Sequence, residues 1–305
     1  MSVLAIETHG LTKRFGRLTA VDGVDLQVPV GAVYGYLGRN GAGKTTTIQM
    51  LMALLDPTAG EVRLLGQDPF RQGPALRAEV SYVSERAQLY DWMRVRELMW
   101  FVGNLHPRWD PALAAELIRR LELPPERRLG QLSRGMQGKA ALAIALASRP
   151  RLLLLDDPTS GLDAVVRRDF MGGIVDLVQE SGATVFFSSH QIDDVERVAD
   201  WVGILHEGRL IVQAPLDDLK ASVQRVIATF EESPPEALSF PGLLQQTTDG
   251  RQLELIWSGF GEREAAALRA LGATSLETHG CTLEDIFIAY VHPAPSALLE
   301  MEAVS

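Results

Sequence analysis

The chain has 305 residues, 46% hydrophobic and 22% charged, which suits a large α/β domain with a smaller companion better than a single core. Its formal net charge of −10 lacks the basic excess with which a nucleic-acid binder neutralises phosphates, and this argues against DNA or RNA as a main partner. The single cysteine, Cys281, allows no internal disulfide and has no neighbouring ligand cluster, so a reducing cytosol is the expected setting and no zinc site is read.

Val3–Thr8 reads as a strand, Leu11–Gly16 as a turn out of it, and Val21–Val28 as a second strand of alternating polarity. The first fifteen residues lack the continuous apolar core of a signal peptide. Phe15, an aromatic in a polar turn, has two readings on position alone: stacking on a nucleotide base, or plugging a domain edge.

The apolar run Ala32–Leu37 then leads into Gly38-Arg39-Asn40-Gly41-Ala42-Gly43-Lys44-Thr45-Thr46 and on to Thr47–Met52, in the order strand, glycine loop, helix. Glycines let successive backbone N–H groups turn inward around phosphate oxygens, and the helix start adds the positive end of its dipole. In such a loop Lys44 reaches the β- and γ-phosphates and the Thr45 hydroxyl takes one Mg²⁺ position. Nucleoside triphosphate binding is the expectation.

Asp56–Gly60 breaks the helix, Glu61–Leu65 forms a short strand, and Val80–Val83 forms another that ends at Ser84-Glu85. The stretch from Leu89 to Phe101 gathers Tyr90, Trp92, Trp100 and Phe101, a density that suits either a partner-binding surface or a helix burying Leu98, Phe101 and Leu105 in its own subdomain. A helix is expected over Pro111–Leu121, and Ser133 sits at the N-cap of an alanine-rich helix running to Ser148. Its apolar run, Ala140–Ala147, is far short of the ~18 residues a membrane-spanning helix needs.

Leu152-Leu153-Leu154-Leu155-Asp156-Asp157 reads as a central parallel strand, buried on both faces, that delivers two acids to its C-terminal edge. Beyond Ser160-Gly161-Leu162-Asp163 a helix is expected to about Glu180, followed by a buried strand over Ala183–Ser188 that leads to His190. A hairpin over residues 202–212 closes this α/β domain, placed at 1–215 with a helical part at about 88–150. Strands and helices up to Val291 then make a small α/β unit at 216–292, with a loose tail at 293–305. From Ala221 to the end, four Lys/Arg stand against twelve Asp/Glu, a net of −8.

Five of these elements, in this order, resemble the ATP-binding subunit of ABC transporters. They are the loop Gly38–Thr46, the signature-like Leu132-Ser133-Arg134-Gly135-Met136, the strand ending in Asp156, the D-loop-like Ser160-Gly161-Leu162-Asp163, and the switch-like His190. A GTPase is disfavoured because Asn40 and Asn104, the only asparagines, form no guanine-reading motif. The resemblance implies a P-loop ATPase with a parallel sheet core, an antiparallel β subdomain and a helical subdomain. It also implies a homo- or heterodimer closing on two ATP and Mg²⁺, each nucleotide held by the loop of one subunit and by Ser133 and Gly135 of the other. By the same resemblance Phe15 stacks on adenine, Asp156 orders the metal, His190 contacts the γ-phosphate, and the chain sits on the inner face of the membrane against a separate permease.

Three positions depart from the family pattern. The catalytic base is usually glutamate and here is Asp157, one methylene shorter; a misplacement of about 1 Å can cost on the order of a hundredfold, so slow hydrolysis is one expectation. Glu85 occupies the glutamine position that senses the metal and the attacking water. The signature carries Arg134 and Met136, a form that, with Thr282–Phe287 near the end, resembles subunits of ABC-2-type exporters. A slowly hydrolysing nucleotide-gated clamp or regulatory subunit paired with a catalytically complete partner is one alternative reading, and a soluble ABC ATPase outside transport is another.

Overall fold

The computed structural model describes residues 4–85, 89–162, 167–168, 170–174 and 182–292. It divides into two compact units, Met1–Gln213 and Ala214–Ser305. In the first, β1 (Leu4–Phe15) pairs antiparallel with β2 (Leu18–Val24) and β3 (Gln27–Pro29). β4 (Val33–Leu37) leaves for a second sheet, and β5 (Ala59–Leu64) returns to pair antiparallel with β1. The expected turn at Leu11–Gly16 is therefore strand as far as Phe15. Gly10, at φ +57°, and shifts in register toward both β2 and β5 bend β1 instead of ending it, so its second half stays paired. The expected strand over residues 21–28 is likewise two, because the chain passes from β2 to β3 at Asp25-Leu26.

The second sheet has six strands: β4, β6 (Val80–Val83), β7 (Leu152–Asp156), β8 (Thr184–Ser189), β9 (Trp201–His206) and β10 (Arg209–Pro215), in the spatial order β10-β9-β4-β8-β7-β6. β4, β6, β7, β8 and β9 run parallel. β10 folds back from β9 through Glu207-Gly208, both at positive φ, the geometry a two-residue hairpin turn needs. Leu152 to Leu155 are all fully buried, which explains why β7 is a continuous apolar run and not an alternating one. At about 1.5–3 kcal/mol for each leucine removed from water, this strand is a large part of the core. Tyr34 and Tyr36 of β4 pack on Phe186 of β8, with ring centroids 5.4 and 5.1 Å apart.

Helix α1 (Lys44–Leu51) follows β4, and the short α2 (Gly73–Arg77), absent from the sequence reading, precedes β6. Between β6 and β7 lie α3 (Val95–Leu105), α4 (Pro111–Arg120) and α5 (Arg134–Ala147). Each starts where its residues supply backbone partners: Glu97 accepts from Arg94 N at 2.8 Å, Asp110 from Ala112 N and Leu113 N at 2.9 Å, and Ser133 Oγ from Met136 N at 3.3 Å. The helix expected to about Glu180 is helical at 167–168 and 170–174; its remainder and Asp163 lie outside the described residues, as does the expected tail at 293–305. α6 (Ile192–Val198), also unread in the sequence, leaves β8.

The second unit opens with α7 (Leu216–Ser222) and builds an antiparallel sheet from β11 (Val223–Phe230), β12 (Leu243–Asp249), β13 (Gln252–Ser258) and β14 (Ala273–Gly280), in the order β12-β13-β11-β14. α8 (Glu262–Ala270) and α9 (Leu283–Val291) complete it. Its core centres on Trp257, fully buried between Phe240 and Phe260, with the indole N–H donating to Pro241 O at 2.9 Å. No helix among the described residues is long and apolar enough to cross a membrane.

Candidate active site

Register places the site. Leu37 at the end of β4 pairs with Ser189 of β8, and Ser188 pairs with Asp156 of β7, so three neighbouring parallel strands finish level and release their loops on one edge. From β4 comes the glycine loop. Gly43 caps α1 at φ +109°, and a Cβ there would collide with Ala20 O, so both conformation and space require glycine. The buried Lys44 ammonium turns back on the loop, donating to Gly38 O at 2.7 Å and Arg39 O at 3.1 Å.

From β7 come the two carboxylates. Asp156 Oδ1 accepts from Thr45 Oγ1 at 3.1 Å and from Ser188 Oγ at 2.8 Å. Asp157 N in turn donates to Ser188 Oγ at 2.9 Å. Asp157 lies at φ +44°, a left-handed backbone that costs a non-glycine residue on the order of 1–3 kcal/mol and persists only when its surroundings hold it. Its Oδ2 is 2.6 Å from His190 Nδ1, while Oδ1 is buried without a partner. Against an ionised carboxylate, which only accepts, this contact is one in which the imidazole Nδ1–H donates.

These groups line one cleft of about 620 Å³ that also includes Phe15, Asn40, Gly41, Thr46, Glu85 and Ser160. Phe15 is 48% exposed there, and Lys13 Nζ stands 5.3 Å from its ring centroid. Glu85 accepts from Ser160 Oγ at 3.1 Å. Gly38 and Arg39 contribute their carbonyls to Lys44, and Ala42 is buried beneath the loop. Ser133 and Gly135 are not in this cleft. They begin α5, whose Arg134 and Gln137 border a smaller neighbouring cavity with Glu85 and Ser160.

Residues 21–160 match the family model described as ABC transporter. The bacitracin transport ATP-binding protein BcrA of Bacillus licheniformis is 36% identical over 217 residues, covering 70% of this chain and 71% of that protein. The chain belongs to the ATP-binding subunits of ABC transporters. The daunorubicin/doxorubicin resistance ATP-binding protein DrrA of Streptomyces peucetius is 37% identical over 72% of this chain and 68% of its own length. A solved ATP-binding subunit of an ABC transporter superposes with a TM-score of 0.63 at 25% identity, covering 71% of this chain and 92% of that one. As an ABC transporter subunit the chain binds ATP; such subunits hydrolyse it, dimerise and work with membrane permeases.

The electrostatics of the ABC subunit's cleft follow from burial. Desolvation pushes the Lys44 ammonium below its ordinary value of 10.5, against the charges of Asp157, Asp156 and Glu85, which favour protonation. It pushes Asp156 above 3.8; the hydrogen bonds from Ser188 and Thr45 oppose this, and the charges of Asp157 and Glu85 add to it. Both shifts come first from burial, and three carboxylates, Asp156, Asp157 and Glu85, act on the one ammonium of Lys44. Among the described residues no three His, Cys, Asp or Glu side chains converge as a metal cage. The adjoining Thr45 and Asp156 oxygens instead suit a hard cation that takes one or two protein ligands and completes its shell with phosphate and water.

Ser188, Thr159 and Asp194 were not read as site residues in the sequence. The available signal was Ser188-Ser189-His190, two hydroxyls at the end of a buried strand. Nothing in the spacing pointed to Thr159 or Asp194.

Proposed function

We propose that this chain is a motor subunit that closes on ATP and Mg²⁺ and hydrolyses the ATP to drive a separate exporter permease. The observation that carries this reading is the convergence of Lys44, Thr45, Asp156, Asp157 and His190 at level strand ends in one cleft. The loop N–H groups and Lys44 hold the β- and γ-phosphates, and Phe15 supplies a face for the base. Thr45 and Asp156, with Glu85 beyond, would hold Mg²⁺, which when bound would neutralise charge developing on the phosphates.

Asp157 takes the proton of the attacking water, with its carboxylate oriented by His190 Nδ1. The shorter side chain slows this step relative to a glutamate. Ser133 and Gly135 offer a hydroxyl and backbone N–H groups at the start of a 14-residue helix, a place for the γ-phosphate bound to a second subunit of the same or a related kind. Export is the direction supported by the resistance protein DrrA among the relatives and by the Arg134 and Met136 form of the signature. The working position is the inner face of the membrane, against the permease.

Nucleotide binding by Lys44→Ala tests the assignment. Loss of MgATP binding in a folded variant supports it; binding as tight as that of the unaltered chain removes Lys44, and with it the cleft, from the proposed site.

A further inference from the structure

We propose that Thr159 and Asp194 are positioning residues for hydrolysis, forming a buried tie that holds Asp157 in its working conformation. The inference rests on the reading of Asp157 as the acting carboxylate. Thr159 lies two residues beyond Asp157 on the loop leaving β7, and Asp194 lies four beyond His190 on α6. The two loops already meet through His190 Nδ1 and Asp157 Oδ2. Below that contact they are joined again: Thr159 Oγ1 donates to Asp194 Oδ2 at 2.9 Å, with the two residues 3% and 8% exposed.

Asp157 gains from such support because a left-handed backbone still costs a non-glycine residue free energy, even one as tolerant of it as aspartate. Three restraints fix the turn: Ser188 Oγ accepts from Asp157 N, Asp157 O accepts from Ser160 N at 3.0 Å, and the Thr159 side chain is anchored on Asp194. The anchor itself rests on the strand that carries the glycine loop, since Val195, beside Asp194, packs against Gly35 of β4. Phosphate loop, carboxylate and histidine are thereby referred to one frame, the kind of preorganisation a hydrolytic step requires.

Helix stability does not account for Asp194. Asp193, exposed in the same first turn, already complements the α6 dipole. Asp194 is charged at a cost: burial drives its carboxyl upward and the charge of Asp157 adds to this, while Thr159, Arg167 and Arg197 oppose. Of the contacts that favour the charge there, the bond from Thr159 is the largest, ahead of Arg167 and Arg197.

The test is steady-state ATP hydrolysis by the full chain, with Asp157→Asn run beside it. Thr159→Val, which keeps shape and loses the donor, is expected to lower kcat about tenfold or more while KM for ATP stays within about twofold; Thr159→Ser, which keeps the donor, restores kcat to within about twofold. Thr159→Val combined with Asp194→Ala is expected to lose no more than the worse single variant, because the two act through one bond. If Thr159→Val does not fold, Thr159→Ala, smaller and equally without a donor, takes its place. A folded variant with unchanged kcat, a fall in kcat matched by a rise in KM, or losses that multiply in the double variant would each overturn the inference. If Asp157→Asn leaves turnover intact, the reading of Asp157 has failed; if Asp157→Asn removes turnover and Thr159→Val does not lower it, only the tie has failed.

Discussion

Gly35→Ala places a methyl group at the contact on which the site's frame depends. Built on the observed backbone, its Cβ lies 2.5 Å from Val195 Cγ1 and 3.3 Å from both Val195 Cβ and Ala199 Cβ. Carbon atoms settle about 3.5–4.0 Å apart, so α6 must move by roughly 1 Å or Val195 must leave its rotamer. Val195 is fully buried and Ala199 blocks a sideways escape, which puts the cost in the upper part of the overpacking range, about 2–3 kcal/mol. For a unit of this size that lowers Tm by roughly 4–12 °C. The assay is calorimetry of the full chain, following the transition that MgATP shifts, since a ligand that binds only the folded unit raises that transition. Val195→Ala removes the clashing methyl groups, so the double variant is expected to be more stable than the sum of the single effects by about 1 kcal/mol or more. A Gly35→Ala protein melting within about 2 °C of the unaltered chain, or a strictly additive double variant, would refute the packing argument.

Asp156→Asn is expected to stabilise the chain in the absence of nucleotide and metal while abolishing hydrolysis. The sign follows from the raised carboxyl: below about 3.8 both states are protonated, and as pH rises from there the unfolded chain ionises first, so the unaltered protein loses stability by up to about 1.36 kcal/mol per pH unit until the folded carboxyl also ionises. The advantage of the Asn variant in Tm therefore grows with pH from about 3.8 upward and levels off once the folded carboxyl has ionised; an advantage that shrinks as pH rises contradicts the assignment. Tyr90 and Trp92 are 51% and 66% exposed, with rings 6.1 Å apart. Tyr90→Ala with Trp92→Ala is expected to lower transport about tenfold or more in membranes containing the permease and to leave ATP turnover within about twofold; equal loss of both would mean the rings support the subdomain core instead of a docking face.

The glycine loop, the leucine strand and the capped alanine-rich helix were legible because each is a local pattern whose chemistry is decided within a few residues. Gly38–Thr46 carries its own geometry, and four leucines followed by two aspartates state both burial and edge. The course of β1 was not legible, because whether Leu11–Gly16 turns or continues depends on β2 and β5 accepting its hydrogen bonds. For the candidate site, sequence named Lys44, Asp156, Asp157 and His190, which the fold brings to one cleft, but not the bonds between them. That Asp157 meets His190, that Ser188 bridges both aspartates, and that Thr159 is tied to Asp194 follow from strand register. Register is set by pairing between segments roughly 30 residues apart, which no local pattern records.

Steady-state ATP hydrolysis by the purified chain beside Asp157→Asn and Asp157→Glu tests Asp157 as the working base most directly. Measurable turnover is expected that Asp157→Asn lowers about a hundredfold or more, with the longer Asp157→Glu equal to or faster than the unaltered chain. Negligible turnover by the unaltered chain that Asp157→Glu restores would contradict a working base at Asp157, and would make the subunit a nucleotide-gated clamp that waits on a catalytically complete partner.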